Sequence, residues 1–265
     1  MSNDRNTGRS SISRDDLLSL IETVGTSQPF KRGDILFKQG DQDFTFYYIA
    51  EGSVDLQFDG QTRRTLQEGD FFGEIRILGA LPRTATAVCL TKGRLVKLSQ
   101  EVFKDLLEKN PDFKKMIFAK YSARLLHFRT RQDKSMIMLK DSDYAEILKH
   151  FQPQSLKKEE LLFSQGDKSD KIYIVLKGSL EILLDGIRID RQFPGDFVGE
   201  IGVLYKIPRT ATVRAIEDSE LLSCDSRELE QVLHQYRPLH QFLQNLAIHR
   251  LSSGPASRFQ FFKWL

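Results

Sequence analysis

The chain has 265 residues, of which 40% are hydrophobic and 28% charged, and its formal net charge is +3. No apolar run approaches the roughly 20 residues that a membrane-spanning helix needs, and the opening residues lack the apolar core of a signal peptide. The net charge is too small to predict nucleic-acid binding. We therefore expect a cytoplasmic chain long enough for two domains, with no membrane insertion and no nucleic-acid partner.

The first half begins with a polar segment and continues with helical and strand patterns. Residues 1–14 are expected to be disordered, and residues 15–24 place apolar side chains at helical spacing, with Ser13 as a candidate N-cap. Short runs punctuated by Gly and Asp extend from residue 30 to residue 98 and predict strands. Asp59 and Gly60 form a hairpin signal within them.

Helices are expected after each strand-rich region. Residues 100–107 and 112–131 show amphipathic patterns on either side of Asn110-Pro111, and residues 142–151 predict a short helix that opens the second domain. The second half repeats the strand pattern, and helices are predicted over 226–236 and 238–251. The predicted domains are a disordered segment 1–14, domain A with connecting helices 15–140, domain B 141–252 and an aromatic tail 253–265.

One stretch occurs in both halves of the chain. It reads Gly-Glu-Ile, a short apolar turn and Pro-Arg-Thr-Ala-Thr, beginning at Gly73 and at Gly199, with Arg83 and Arg209 as its arginines. The separation is constant, since 199 − 73 and 209 − 83 both equal 126. The same offset holds through the flanking turns, which predicts one fold used twice. The fold class is therefore mainly β with flanking α-helices, as two jelly-roll-type β-barrels in tandem.

The residue types of this stretch predict a nucleotide site. Gly allows close approach of a ligand to the backbone, and the amides that open a helical turn attract anions. The planar guanidinium of Arg83 or Arg209 can bind two phosphate oxygens. Glu74 or Glu200 can accept a hydrogen bond from a ribose hydroxyl. Together these groups predict a nucleotide in which the sugar hydroxyl and the phosphate lie close together.

The two copies resemble the phosphate-binding cassette of cyclic nucleotide-binding domains, and the likeness extends over about residues 30–105 and 156–231. Two copies in line resemble the regulatory subunit of cyclic-AMP-dependent protein kinase and the sensor part of cyclic-GMP-dependent kinase. The resemblance implies that the arginines pair with the cyclic phosphate and the glutamates with the ribose 2′-hydroxyl. The implied ligand-binding residues are Gly73, Glu74, Ile75, Arg76, Arg83, Thr84 and Ala85 in the first site, and Gly199, Glu200, Ile201, Gly202, Arg209, Thr210 and Ala211 in the second.

Three points of the site stay open at this level. Arg76 stands where Gly202 stands in the second copy, so its side chain points outwards, adds charge near the phosphate or crowds the ligand. Threonine after the arginine, as at Thr84 and Thr210, resembles the sequence of cyclic-GMP kinases, but a threonine is equally expected there as a strand residue. Cyclic AMP and cyclic GMP therefore both remain candidate ligands, and cyclic AMP is slightly favoured because it is the commoner ligand overall. Aromatic residues that could cover the base are Tyr121, Phe128 and Tyr144 for the first site and Phe259, Phe261, Phe262 and Trp264 for the second.

The expected function is a ligand-gated adaptor. The sequence shows no kinase Gly-rich loop, no nucleophile elbow and no zinc-helix motif, so no catalytic residue, metal site or cofactor is predicted, and the chain is not expected to be an enzyme. Nucleotide binding would move the helices after each barrel and regulate an unidentified partner protein, of which a kinase is one candidate. The alternatives are an inhibitor like a kinase regulatory subunit, whose inhibitory motif is not found, and a scaffold in which one or both cassettes bind no ligand.

Overall fold

A computed structural model describes residues 14–79, 81–130 and 139–253. The chain separates into two compact units, Met1–Phe118 and Ala119–Leu265. The division falls inside helix α4 (Pro111–Thr130). The domain boundary that the sequence analysis proposes at residue 140 stays a prediction. Of the segment 1–14 predicted to be disordered, residues 1–13 lie outside the described residues, and Arg14 begins α1. Of the predicted tail 253–265, Ser253 ends the last helix, and residues 254–265 lie outside the described residues.

The described part of the first unit is a β-sandwich flanked by helices. Its two four-stranded sheets are antiparallel, with the strand orders β1-β8-β3-β6 and β2-β7-β4-β5. Its elements are α1 (Arg14–Val24), β1 (Thr26–Phe30), β2 (Ile35–Phe37), β3 (Phe46–Glu51), β4 (Ser53–Phe58), β5 (Gln61–Gln67), β6 (Phe71–Phe72), α2 (Glu74–Gly79), β7 (Thr86–Cys89), β8 (Gly93–Leu98), α3 (Gln100–Lys109) and the start of α4.

Strand β3 carries apolar side chains on both faces because it lies between the sandwich core and the helices. Tyr47 and Ile49 belong to the core cluster between the sheets. Phe46 points the other way, and its ring stacks on Phe103 of α3 with 4.5 Å between centroids and meets Phe113 of α4 edge-on at 6.5 Å. Alternate side chains of a strand point to opposite faces, so one strand joins the sandwich to its helices.

The described part of the second unit repeats this architecture. Its sheets have the orders β9-β16-β11-β14 and β10-β15-β12-β13, which correspond strand for strand to those of the first unit. Its elements after α4 are α5 (Asp141–Leu148), β9 (Gln152–Leu156), β10 (Leu161–Phe163), β11 (Lys171–Lys177), β12 (Leu180–Leu184), β13 (Ile187–Gln192), β14 (Phe197–Val198), α6 (Glu200–Tyr205), β15 (Thr212–Ala215), β16 (Ser219–Asp225), α7 (Ser226–Gln235) and α8 (Arg237–Ser253).

The two cores are built from equivalent positions. Each buried member of the second core has a counterpart 126 positions earlier in the first core, so the repeat governs packing as well as turns. The second-core residues are Leu156, Tyr173, Val175, Leu180, Val198, Val213, Ala215 and Leu221.

The predicted fold class is confirmed, since each half contains sandwich sheets followed by helices. The Asp-Gly hairpin signals are also confirmed, because Asp59 and Asp185 have φ of 48° and 50° and the glycines that follow them 76° and 79°, as a tight hairpin turn requires. The short helix expected over 142–151 ends earlier, at Leu148, since residues 149–150 form a turn before β9. No helix of the described ranges is both long and apolar enough to cross a membrane.

Both cysteines are buried, and Cys89 belongs to the core cluster between the sheets of the first unit. Cys89 on β7 and Cys224 on β16 are each 1% exposed and form no disulfide. Burial, followed by the charge of Asp34, raises the pKa of the Cys89 thiol to about 11. Burial, followed by the charges of Glu228 and Asp225, raises the pKa of the Cys224 thiol to about 12.

Because the thiolate is the reactive form of cysteine, we expect both thiols of the native protein to react slowly with an aromatic disulfide reagent at pH 8 and to react fully in guanidinium chloride. Unfolded thiols ionise near pH 8.5. The contribution of Cys89 and Cys224 to the free energy of unfolding is therefore fully present below about pH 8.5 and is lost as pH rises towards their folded-state pKa values. Rapid labelling of the native protein at pH 8 contradicts this assignment.

Candidate functional site

Gly199 forms the turn between β14 and α6, where the second predicted site begins. Its φ is +83°, in the left-handed region that favours glycine. A Cβ at this position would lie 2.4 Å from Nη1 of Arg209. Glycine is therefore required by the backbone conformation and by the guanidinium group that packs against it.

Two backbone carbonyls hold the guanidinium of Arg209. Nη1 donates to the carbonyl oxygen of Gly199 at 3.0 Å, and Nη2 donates to that of Lys171 at 2.7 Å. The guanidinium carbon lies 4.0 Å from the ring centroid of Phe163, a cation–π contact. The guanidinium is thus held by two carbonyls and a ring, and no carboxylate of the described residues forms an ion pair with it.

The Arg209 side chain retains hydrogen-bonding capacity although it is 3% exposed. Within the residues that the structure describes, its Nε has no hydrogen-bond partner. Burial lowers the pKa of Arg209, and nearby groups, led by Tyr173 and Asp170, oppose that shift without cancelling it. A buried charged donor without an acceptor is costly, and an anionic ligand would satisfy it.

Glu200 opens α6 and is 1% exposed. Its Oε1 lies 2.9 Å from Nη1 of Arg250, which comes from α8. Arg250 donates to the carbonyl of Phe197 at 2.7 Å and to Oε1 of Gln192. The contact with Glu200 is an ion pair without hydrogen-bond geometry, so Oε1 accepts no hydrogen bond from the described residues.

These groups line a cavity of about 340 Å³, which is the size of a small-molecule site. Its walls include Phe163, Val198 and Val213 from the sandwich and His249, Arg250 and Leu251 from α8. The sequence-predicted residues of the second site all line it, namely Gly199, Glu200, Ile201, Gly202, Arg209, Thr210 and Ala211.

The first predicted site repeats the carbonyl clamp. Gly73 has φ +95°, and Arg83 donates from Nη1 to the Gly73 carbonyl at 3.3 Å and from Nη2 to the Thr45 carbonyl at 2.7 Å. The guanidinium of Arg83 lies 4.0 Å from the ring centroid of Phe37. Arg83 also forms an ion pair with the carboxylate of Asp43, whereas Arg209 forms none with a residue that the structure describes.

The remaining residues of the first site lie around α2 and the turn before β7. Glu74 opens α2 and is 1% exposed, while Ile75, Thr84 and Ala85 are half-buried. Arg76 points towards the β2–β3 loop, where its Nε and Nη2 donate to the carbonyl of Gln42 at 3.3 and 3.0 Å. Its guanidinium carbon lies 3.8 Å from the ring centroid of Phe44, so the structure places the Arg76 guanidinium against the loop.

The aromatic residues that the sequence suggests as covers for the base fall into two groups. Phe259, Phe261, Phe262 and Trp264 lie outside the described residues. Tyr121 and Tyr144 are fully buried in the second unit, where the Tyr121 hydroxyl donates to the carbonyl of Leu176 and the Tyr144 ring stacks on His127 at 5.2 Å. Phe128 is half-buried on α4. A role for any of them over a base stays a prediction.

Sequence reasoning missed Arg250 and Asp43. The offset of 126 could have found Arg250, because it relates Arg250, which is half-buried, to Arg124 on α4, which is buried. Asp43 could have been noticed as a position at which the halves differ, since its counterpart is Ser169. Neither signal indicates which side chain the residue contacts, because the partner is distant in sequence.

Comparison with known families agrees with this geometry. A family model described as "Cyclic nucleotide-binding domain" matches residues 27–110 and 153–236. Both the starts and the ends of the matched segments are 126 positions apart (153 − 27 and 236 − 110), so the family match has the same repeat as the two cores. The match covers more than half of the 265 residues.

Individual relatives include kinases and a kinase regulatory subunit. The chain is 28% identical over 228 residues to a cGMP-dependent protein kinase of Toxoplasma gondii, covering 85% of this chain and 22% of the relative. It is 27% identical over 203 residues to a cAMP-dependent protein kinase regulatory subunit of Debaryomyces hansenii, covering 75% of this chain and 43% of the relative. The chain thus spans less than half the length of either relative.

Among solved structures, the chain is similar to the regulatory domain of Toxoplasma gondii PKA with cAMP. The sequence identity is 19%, the match covers 92% of this chain and 91% of that chain, and the TM-score is 0.43.

The contact between Gly199 and Arg209 can be tested against a matched glycine. Gly166 has φ +90°, but a Cβ there would meet nothing within 4 Å. Gly166→Ala therefore has only the conformational cost of the left-handed region, about 1–2 kcal/mol, whereas Gly199→Ala adds a clash with the guanidinium. We expect Gly199→Ala to lower the free energy of unfolding in urea by clearly more than Gly166→Ala does, and equal losses would contradict the close approach.

Proposed function

The chain belongs to the cyclic nucleotide-binding domain family and contains two such domains in tandem, and we propose that it is a sensor of cyclic 3′,5′-nucleotides that regulates a partner protein. The tandem arrangement is similar to that of kinase regulatory regions. A cytoplasmic location and the lack of catalytic activity are part of the proposal.

The observation that carries the proposal is a pair of incompletely satisfied, oppositely charged groups in one cavity. Among the described residues, Arg209 keeps a buried donor without an acceptor and Glu200 keeps a buried acceptor without a donor. A ligand that satisfies both presents an anion and a hydroxyl group. A cyclic nucleotide has these groups on one ribose, as the 3′,5′-phosphate and the 2′-hydroxyl.

Each predicted residue then has a role. Arg83 and Arg209 would bind the cyclic phosphate, and Glu74 and Glu200 the ribose hydroxyl. The glycines at 73 and 199 would allow the guanidinium groups to approach the turns. The remaining cassette residues would surround the phosphate with backbone amides, namely Ile75, Arg76, Thr84 and Ala85 in the first site and Ile201, Gly202, Thr210 and Ala211 in the second.

The identity of the base stays open between adenine and guanine. Thr210 lines the cavity, and its hydroxyl can either donate or accept a hydrogen bond. Relatives of the chain are named for cAMP and for cGMP. We therefore propose both nucleotides as ligands to be compared directly.

Arg250 would couple nucleotide binding at the second site to the position of α8. It contacts the carboxylate that would bind ribose, and it is attached to α8. A ribose hydroxyl that donates to Glu200 would change the balance of contacts around Arg250, and binding can shift the position of α8 only by its difference in affinity for the two positions. The surface altered in this way would bind the partner.

Two alternatives use the same fold. In the first, the chain inhibits a kinase as regulatory subunits do, and co-purification with a kinase that cyclic nucleotide releases would favour it. In the second, the domains are a scaffold and one or both cassettes bind no nucleotide. The ion pair between Arg83 and Asp43 is the observation that keeps the second alternative open for the first site.

Calorimetric titration of the purified chain with cyclic AMP and cyclic GMP tests the proposal, and 5′-AMP, whose phosphate is not cyclised, is the control ligand. We expect Arg209→Glu to weaken cyclic nucleotide binding at the second site by at least about a hundredfold, because loss of a buried charge partner costs on the order of 3–5 kcal/mol. Arg214→Glu is the control, since Arg214 forms an ion pair with Glu181 and does not line the cavity. Near-normal affinity of Arg209→Glu would refute the assignment.

Coupling to α8 is tested by hydrogen exchange. We expect a saturating cyclic nucleotide to change the exchange rates of α8 amides in the unmodified chain, and we expect Arg250→Ala to remove most of that difference. Ile248→Ala, at an exposed position of the same helix, should retain it. If Arg250→Ala responds to nucleotide as the unmodified chain does, the coupling does not pass through Arg250.

A further inference from the structure

The two predicted phosphate-binding arginines differ in one contact. In the first site, Nε of Arg83 donates to Oδ1 of Asp43 at 3.0 Å, and Nη2 contacts Oδ2 of the same carboxylate. In the second site, the position 126 residues after Asp43 is Ser169, and among the described residues neither Ser169 nor Asp170 hydrogen-bonds Arg209. The edge of the guanidinium formed by Nε and Nη2 is thus covered by a carboxylate in one site only.

This difference changes how many donors each guanidinium has left. An arginine has five N–H donors. Arg83 makes four hydrogen bonds to described residues, two of them to Asp43. Arg209 makes two, both to backbone carbonyls. A phosphate that binds in the bidentate manner typical of arginine finds a complete edge on Arg209 and an occupied edge on Arg83.

The Asp43 carboxylate is charged and accessible at neutral pH. Partial burial raises the pKa of Asp43, but the hydrogen bond and charge of Arg83, together with Thr45, outweigh that effect and hold the pKa below its usual value. The Asp43 side chain is 42% exposed, whereas that of Arg83 is 1% exposed. The carboxylate is therefore accessible to solvent, places a negative charge beside the guanidinium and occupies two of its donors.

A second difference between the halves positions Asp43. Arg76 donates to the carbonyl of Gln42 and stacks on the ring of Phe44, the residues on either side of Asp43. The loop that carries Asp43 is thereby anchored to α2. In the second half Gly202 replaces Arg76, and a Cβ on Gly202 would lie 2.0 Å from Oγ of Ser169, so the loop occupies the space that a side chain would need.

We propose that Asp43, positioned by Arg76, is an internal competitor for phosphate that makes the first site bind cyclic nucleotides more weakly than the second. The inference rests on the proposed function and adds an order of loading to it, because the second site fills at lower nucleotide concentration. It explains together two positions at which the first half departs from the second, Asp43 in place of serine and Arg76 in place of glycine, as parts of one device that lowers affinity. Asp43 acts through Arg83, and its effect is on the affinity of the first site for the nucleotide.

The experiment isolates each site within the full chain. With Arg209→Glu in the second site, the titration measures nucleotide binding at the first site. Asp43→Ser is then added, which introduces the residue found at the matching position of the second half. We expect this change to raise the affinity of the first site for cyclic nucleotide about tenfold, the size of one charge-assisted hydrogen-bonding contact. Asp43→Asn, which removes the charge and keeps the shape, should change affinity in the same direction.

The reciprocal change is measured together with the urea midpoint of each variant, because Ser169 lies against Gly202 and a carboxylate there also affects the packing of the loop. A loss of affinity at an unchanged midpoint supports the competitor role, and a loss accompanied by a lower midpoint counts against it. In an Arg83→Glu background, Ser169→Asp should lower the affinity of the second site about tenfold. Asp105→Ser is the control for net charge, since Asp105 is exposed on α3 and pairs with Lys109. It should leave both affinities unchanged.

The outcomes separate this inference from the proposed function. If Asp43→Ser leaves the affinity of the first site unchanged, lowers it or leaves binding undetectable, while the second site binds, Asp43 is not a competitor and the inference is overturned. If the unmodified chain binds no cyclic nucleotide at either site, the proposed function fails and the inference fails with it.

Discussion

A buried guanidinium clamped by backbone carbonyls is the interaction on which both halves of this protein depend. The carbonyl groups that accept from the guanidinium come from two places: the glycine turn before a short helix, and the residue at or just before the start of a central strand. The clamp requires a turn residue with positive φ and no Cβ, since any side chain would collide with the arginine. It also requires a ring beneath the guanidinium, which Phe37 and Phe163 supply from equivalent strands.

This dependence explains where the repeat is strict. The positions that build the clamp correspond across the chain, and each buried residue of the second core has a buried counterpart 126 positions earlier in the first core. A change at one of them would leave either a cavity or an unpaired buried charge, both of which are destabilising. The glycine turns and the arginines are therefore as much a part of the fold as of the site.

The halves differ where the site meets its surroundings. Leu66 in the first core is matched by Gln192, which is 3% exposed and accepts a hydrogen bond from Arg250. Asp43 is matched by Ser169, and Arg76 by Gly202. These exchanges alter the charge that an incoming anion would meet and leave the sheets intact. One scaffold can thus carry two sites of different affinity, and a sensor with unequal sites responds over a wider range of ligand concentration than one with equal sites.

Arg250 gives the second site a connection to a helix. This arginine contacts Glu200, a backbone carbonyl and Gln192 at once, so the helix that carries it is tied to several groups of the site. The proposed regulation needs such a shared contact between a candidate binding group and a helix.

The sequence alone determined the repeat, the mainly β fold class with flanking helices, the hairpin turns and the candidate cassette residues, because turn chemistry and strand alternation act between neighbours along the chain. All seven predicted residues of the second site line one cavity, since a continuous motif brings most of them together by local geometry. Only the tertiary structure decided that Arg250 meets Glu200 and that Asp43 covers one edge of Arg83. Arg250 and Glu200 are 50 positions apart (250 − 200), and Asp43 and Arg83 are 40 apart (83 − 43). No periodicity specifies such pairs, because they depend on how a loop or helix packs after the sheets have formed.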